Sequence, residues 1–394
     1  MRIIILLTIL IFSSCLRKEK STIEDNNNIP HIDLQKKYSQ EDLYIQDIAD
    51  VTYIPLETTE ESVIGVISDI VMHNDTIIIC DRMQGKILFF NTDGDFLHTF
   101  KNRGPSKKEY SFIFGFSVDF KYKEIFILDQ YAKKKILVYD FKGNFCRELD
   151  LEPKMQFETI YNYNNDYLFA YDTYGLGYSD EHEYNQRPYF LICKKTGDII
   201  NIPLEIKKRI SSRYISIDKK GNSKYSKLFS NPILKYDNGI IISEYTNDTI
   251  YYLKNNKFHP FIIRKSDNTK KDVLLSSIIM NTNNYSFVWI ESMKHNINEQ
   301  KIESTSGKGL LYRWDERKIN EITLLNADYP SRRKWINFNN YNKDLPKNYT
   351  VSYYYMDILL KASEDNKLKG DLKNIVSVAN EEDNPILIIL KFRE

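Results

Sequence analysis

Six acids stand at the ends of six strand-like apolar runs: Asp81, Asp129, Asp172, Glu244, Glu291 and Asp357. Carboxylates gathered into one ring hold a hard cation such as Ca²⁺ by its oxygens, and under that reading Asp81, Asp129, Glu244 and Glu291 are the metal candidates. An acid at a strand end also accepts the backbone N–H groups of its own turn, and a repeating chain repeats such a cap whatever it binds. Basic residues crowd the segments that follow these runs, among them Arg82, Lys101, Arg103, Lys107, Lys108, Arg332 and Arg333. The segment Glu205–Lys227 alone carries eight basic and two acidic residues. Arginine forks match carboxylate or sulfate, and aromatic rings beside polar groups suit sugars. Arg82, Arg103, Tyr131, Arg213, Arg332 and Trp335 are therefore the candidate ligand-binding residues. Asp172–Arg187 opposes an anion, with four acids and one base. No catalytic residue is assigned. The six His are scattered, and no Gly-rich phosphate loop, nucleophile elbow or Cys–His pairing appears.

These side chains need elements to carry them, and the chain repeats itself. Ile79, Asp81, Lys86, Ile87, Leu88, Gly94 and Phe96 recur as Ile127, Asp129, Lys135, Ile136, Leu137, Gly143 and Phe145. Each copy reads strand, polar loop, strand, Gly turn, strand. A period of about 40–50 residues with several strands per unit marks a β-propeller blade. Extended along the chain, the pattern predicts an all-β, six-bladed β-propeller over 46–394, with a helical insertion near 357–379 in the last blade. Val51–Leu56 has no partner next to it in sequence. It is expected to close the ring by completing blade six, which removes exposed strand edges.

Loop lengths then distinguish the two faces. Turns between first and second strands are short, as at His73–Asp75, Lys121–Lys123 and Tyr236–Asn238. The segments on the other face are long, as at Asp172–Arg187, Ser292–Lys308 and Asp357–Asn384. Long loops on a rigid scaffold commonly carry binding, so ligand recognition is expected on the long-loop face.

The chain carries 55 Lys and Arg against 54 Asp and Glu, so no global field steers it to nucleic acid. Residues 1–15 read as an address: Arg2, then an apolar run from Ile3 to Phe12, then Ser13-Ser14-Cys15. A run of that length spans about 15 Å as a helix, half a bilayer, which fits a signal peptide rather than a span. Residues 16–45 read as a polar tether. Cys80, Cys146 and Cys193 are widely spaced in different repeats and are expected as buried free thiols.

Three stretches carry a resemblance. Ile78–Phe100 resembles the NHL repeat. Tyr53-Ile54-Pro55-Leu56-Glu57 and Asp383-Asn384-Pro385-Ile386-Leu387-Ile388 are similar to the closing and C-terminal strands of the six-bladed propeller lipoproteins of Bacteroidota. Ser13-Ser14-Cys15 resembles a lipobox, in which Cys15 is lipidated. The resemblance implies an outer-membrane lipoprotein, periplasmic or cell-surface, attached to the membrane through its lipid alone. It implies a binding role accessory to glycan or nutrient uptake, with a glycan (anionic, given the basic loops) or outer-membrane uptake proteins as partners. The alternative is a metal-assisted NHL-like enzyme of lyase or lactonase type that uses the axial carboxylates.

Overall fold

The computed structural model describes residues 29–130, 132, 134–151, 155–173, 186–206, 209, 213–217, 223–227, 231–265, 272–296, 301–304, 307–329 and 344–394. Six sheets follow one another along the chain as the blades of a β-propeller. Blade one is Asp69–His73, Thr76–Asp81, Lys86–Asn91 and Phe96–Phe100, and blade two is Gly115–Asp119, Glu124–Asp129, Lys135–Asp140 and Phe145–Asp150. Both are four-stranded meanders. Blade three (Phe157–Asn162 to Ile199–Asn201) and blade four (Ile233–Tyr236 to Lys257–Lys265) repeat the plan. Blade five runs from Asp272–Asn281 to Lys318–Leu325. Blade six pairs Tyr349–Tyr354 with Ile386–Phe392, and Ile386–Phe392 with Ala49–Pro55. Its expected first strand, 335–339, lies outside the described residues.

The inner strands, such as Thr76–Asp81 and Glu124–Asp129, are apolar along most of their length because they are covered on both sides, and alternate side chains serve alternate neighbours. In blade one, Ile77, Ile79, Leu88 and Phe90 pack toward Val351 and Ile389 of blade six. Ile78, Cys80, Ile87 and Phe89 pack toward Ile125, Ile127 and Leu137 of blade two. Blade two repeats the device, turning Phe126, Leu128, Ile136 and Val138 toward Phe157, Leu168 and Phe190 of blade three.

The N-terminal strand closes the ring as expected. Ala49–Pro55 pairs antiparallel with Ile386–Phe392 through seven residue pairs. Blade one then docks on this strand. Gly94, at φ +96°, lies so close that a Cβ there would sit 2.2 Å from the Pro55 carbonyl oxygen. The Glu57 N–H donates to the Gly94 carbonyl (2.9 Å).

Three expectations change. The stretch 16–45 does not run as a tether throughout: His31–Asp33 adds a parallel strand to blade four, and Gln40–Tyr44 adds one to blade five. Ile32 and Leu43 are buried there, so a polar-looking segment is pinned by isolated apolar residues over two outer edges. Several long loops are strand extensions instead. Asp272–Asn281 and Tyr285–Asn296 continue well past the blade, and Arg213–Ile217 pairs with Ser223–Lys227 as a separate hairpin. Of the three free thiols, Cys80 is buried, whereas Cys146 is exposed and Cys193 half-buried. The helical insertion is present as Met356–Glu364 and Gly370–Val376, with Leu359 and Leu372 in the core.

Candidate functional site

On the long-loop face, the acids cap turns. The Asp81 carboxylate is fully buried; Oδ2 accepts the N–H groups of Gly65 (2.8 Å) and Val66 (3.1 Å), and Oδ1 accepts that of Gln84 (2.9 Å). Asp129 Oδ2 accepts the N–H (2.7 Å) and hydroxyl (2.6 Å) of Ser111. Asp172 Oδ1 accepts the Gln156 N–H (3.0 Å). Each acid thus ties the segment entering its blade to the blade's own second strand. Glu244 accepts the Tyr189 hydroxyl (2.8 Å), and burial pushes its carboxyl above the ordinary range against the opposing pull of Arg209. Glu291 is buried, and Asp357 is exposed in the first turn of a helix. Of the two readings of these acids, turn capping accounts for Asp81, Asp129 and Asp172, and among the described residues no three of His, Cys, Asp and Glu form a group that could hold a metal ion.

Of the expected ligand arginines, Arg103 is equally tied down. Arg103 is exposed, but its Nε donates to the Ser111 carbonyl (3.0 Å) and Nη1 to the Met83 carbonyl (3.3 Å), fastening the link between blades one and two. Arg82 is half-buried beside Asp81; its backbone N–H donates to Ser68 Oγ (3.3 Å), and among the described residues its buried Nε has no hydrogen-bond partner. Arg213 opens the separate hairpin. Tyr131, Arg332, Trp335 and Cys15 lie outside the described residues.

At the opposite, short-turn end, the blades surround a cavity of about 430 Å³. Blade one contributes Met72 and His73, and blade two contributes Asp119, Phe120 and Lys121. Asn162–Asn165 comes from blade three, Leu234–Asn238 from blade four, and Met280 with Asn281 from blade five. Asp344–Tyr349 enters from blade six. Three Asp (119, 237, 344) and three Lys (121, 235, 347) share this lining. Turn geometry explains many of the polar residues. Asp119 Oδ1 accepts the N–H groups of Lys121 (3.0 Å) and Tyr122 (3.1 Å), and Asn164 Oδ1 those of Asp166 and Tyr167 (both 2.9 Å).

Asp119 of the lining is held in a buried ion pair with Lys194 behind it. Lys194 Nζ donates to Asp119 Oδ2 (2.5 Å), Asn162 Oδ1 (2.7 Å) and the Asn164 carbonyl (2.6 Å), and both charged side chains are 4% exposed. All three ammonium protons have acceptors, so the charge is held rather than stranded. The Arg147 guanidinium reinforces the same seam, forking onto Glu124 (2.5 and 2.8 Å) and donating to the Lys194 carbonyl (2.9 and 2.7 Å). On the far side, Lys235 Nζ donates to the Asp237 carbonyl (2.9 Å). Burial pushes the Lys235 amine below the ordinary lysine range and Lys194 adds to this, while Asp344 and Asp237 pull the other way. His73 stacks on Phe120 with ring centroids 5.0 Å apart.

Loop length points to the other face. Short turns do not cover the channel mouth, and that is what leaves the cavity open. One signal was available: Lys194 and Lys235 each end or interrupt an apolar run (Leu191-Ile192-Cys193-Lys194 and Ile233-Leu234-Lys235) where a chain packed on both sides has little tolerance for charge.

No curated protein matches the chain. Among solved structures, a putative exported protein from Bacteroides fragilis is similar over 93% of this chain and 100% of that one, at 16% identity and TM-score 0.65. That likeness shows the same fold. A member of the DUF4221 family from Bacteroides vulgatus (8% identity; 88% and 97% covered; TM-score 0.46) is more loosely similar. Virginiamycin B lyase from Staphylococcus aureus (14%; 69% and 98%; 0.32) is looser still. Among the described residues no helix is long and apolar enough to cross a membrane. The family described as Domain of unknown function (DUF4934) matches residues 29–391, from the first pinned segment to the end of the closing sheet, and the chain belongs to that family.

Proposed function

We propose that this protein is an exported, lipid-anchored binding protein that holds a small polar molecule in the axial cavity of its short-turn face. One observation carries the reading: a cavity of about 430 Å³ to which every blade contributes. That volume lies within the roughly 300–1,000 Å³ of small-molecule sites. Its walls are strand ends and tight turns, already fixed by internal hydrogen bonds, so a ligand meets little ordering cost. An enzyme reading through the acid ring draws no support from carboxylates that already accept backbone N–H groups. The glycan-uptake setting implied by the family resemblance agrees with a polar ligand. It moves the expected contact from the basic loops to the channel mouth.

The test is a plug. Asn165 is exposed at the mouth, so Asn165→Trp should fill the entrance without disturbing the core. Free amino acids, neutral mono- and disaccharides and uronic acids are screened by thermal shift. Compounds that raise the melting temperature of the parent should leave the plugged protein unmoved, with the two unliganded melting temperatures equal. Stabilisation that survives the plug would place the site elsewhere, with the long-loop face next in line.

The anchor has its own test. Cys15→Ser should move the protein from the membrane fraction to the soluble fraction, because one acylated thiol is the proposed attachment. Retention in the membrane would end the lipoprotein reading.

A further inference from the structure

The charges around the axial cavity are matched unequally. Asp119 is paired with Lys194 (2.5 Å), and Asp237 with Lys254 (3.2 Å). Asp344 is engaged as well. The lining lysines differ: among the described residues Lys121, Lys235 and Lys347 form no ion pair. Lys121 Nζ lies over the Tyr122 ring, 5.1 Å from its centroid, and Lys347 is exposed at the rim. Lys235 is half-buried in the strand Ile233–Tyr236. Among the described residues its ammonium makes one hydrogen bond, to the Asp237 carbonyl (2.9 Å), which leaves two protons for an occupant.

We propose that the axial cavity is a site for a small organic anion, whose carboxylate or phosphate oxygens rest on the Lys235 ammonium while Lys121 and Lys347 add positive charge at the rim. This rests on the reading of the cavity as the binding site.

Three observations favour that class. Counting the lining and the lysines paired with it, five ammonium groups stand against three carboxylates, so an occupant meets net positive charge. Spare acceptors, by contrast, are few. Asp119 gives Oδ1 to its turn and Oδ2 to Lys194, and the side-chain oxygens of Asn162, Asn164, Asn281 and Asn348 already accept hydrogen bonds within the fold. A cation or a neutral sugar needs acceptors, whereas an anion uses the lysine donors that the fold has left over. Lastly, a cavity of about 430 Å³ holds far more than a bare ion, since one water claims about 30 Å³ in the liquid. Met72, Phe120 and Leu234 supply apolar surface for the body of the ligand. Burial and Lys194 disfavour the Lys235 ammonium, and a bound anion would offset that penalty.

The experiment is titration calorimetry on the purified protein with glucuronate, citrate and glucose 6-phosphate. Glucose and glucosamine serve as neutral and cationic counterparts, and inorganic phosphate as the bare ion. At least one organic anion should bind, with glucose and glucosamine at least tenfold weaker, and added salt should weaken it. Glucuronate against glucose 6-phosphate tells a carboxylate site from a phosphate site. Lys235→Met should weaken the anion at least tenfold, whereas Lys235→Arg, which keeps the charge, should retain most of the affinity. Melting temperatures near the parent value separate lost binding from lost fold. Lys347→Glu reverses a charge at an exposed position and should weaken the anion severalfold without touching the core. If no organic anion binds, or glucose binds as tightly as its charged relatives, the assignment is overturned. Inorganic phosphate binding as tightly as every organic anion would overturn it too, because the apolar surface would then contribute nothing. Sugar binding that the Asn165→Trp plug abolishes would overturn the anion and leave the cavity standing. Binding of any probe that persists in the plugged protein would remove the cavity itself.

Discussion

Lys194→Met is expected to lower the unfolding free energy by about 3–5 kcal/mol, read from urea or thermal denaturation, because it strands a buried carboxylate. Asp119 and Lys194 are each 4% exposed, and the Lys194 ammonium also satisfies Asn162 Oδ1 and the Asn164 carbonyl. Removing the ammonium leaves Asp119 Oδ2 without its cation and two further acceptors without a donor. The turn N–H groups of Lys121 and Tyr122 still hold Oδ1, so the carboxylate stays in its buried position. The double variant Lys194→Met, Asp119→Asn removes both charges and should recover more than half of the loss. Paired charges of this kind contribute little net stability, yet they cost heavily when halved. If the single variant unfolds like the parent, the pair does not brace the seam between blades two and three. That seam forms one wall of the cavity, so the same variant should also weaken binding there.

The contrast between these residues and the rest of the chain explains what could be read in advance. The twice-written stretch around Asp81 and Asp129 announces blades because each blade must bury both faces, and that demand writes unbroken apolar strands at a fixed period. Closure by Val51–Leu56 was legible for a related reason: an apolar strand without a neighbour needs a distant partner. The strands His31–Asp33 and Gln40–Tyr44 escaped because an outer edge buries one side of a strand at most. Ile32 and Leu43 do that work within otherwise polar runs. The cavity escaped for a different reason. Its lining comes from six places far apart in sequence, each of which looks locally like an ordinary turn, and they come together only because the ring closes. Nor does sequence separate a carboxylate that caps a turn from one that awaits a ligand. Asp81 and Asp119 have the same local appearance, and their hydrogen-bond partners alone show that Asp81 serves its turn whereas Asp119 serves both its turn and Lys194.

Truncation should divide the N-terminal region sharply. A protein beginning at residue 29 should melt as the full chain does. One that lacks everything through Tyr44 should keep the ring but lose stability, because the outer strands of blades four and five lose a parallel neighbour and Ile32 and Leu43 leave the core. One that lacks everything through Pro55 should fail to accumulate as a soluble monomer. Ala49–Pro55 contributes seven pairs to Ile386–Phe392, a strand in which every residue but Lys391 is buried. Its Tyr53 hydroxyl also donates to Asp328 (2.9 Å) just after blade five, so its loss loosens two blades together. Fully burying one large apolar side chain is worth about 1.5–3 kcal/mol, and Tyr53 and Ile54 leave along with the whole ladder. The sum is comparable to the ~5–15 kcal/mol that holds a domain folded. What remains is a long, apolar, unpaired edge, the form of strand that recruits other chains. Size-exclusion chromatography and thermal melts of the three truncations decide the matter. A soluble, monomeric protein starting at Leu56, with the melting temperature of the one starting at residue 29, would show that the ring does not depend on its closing strand.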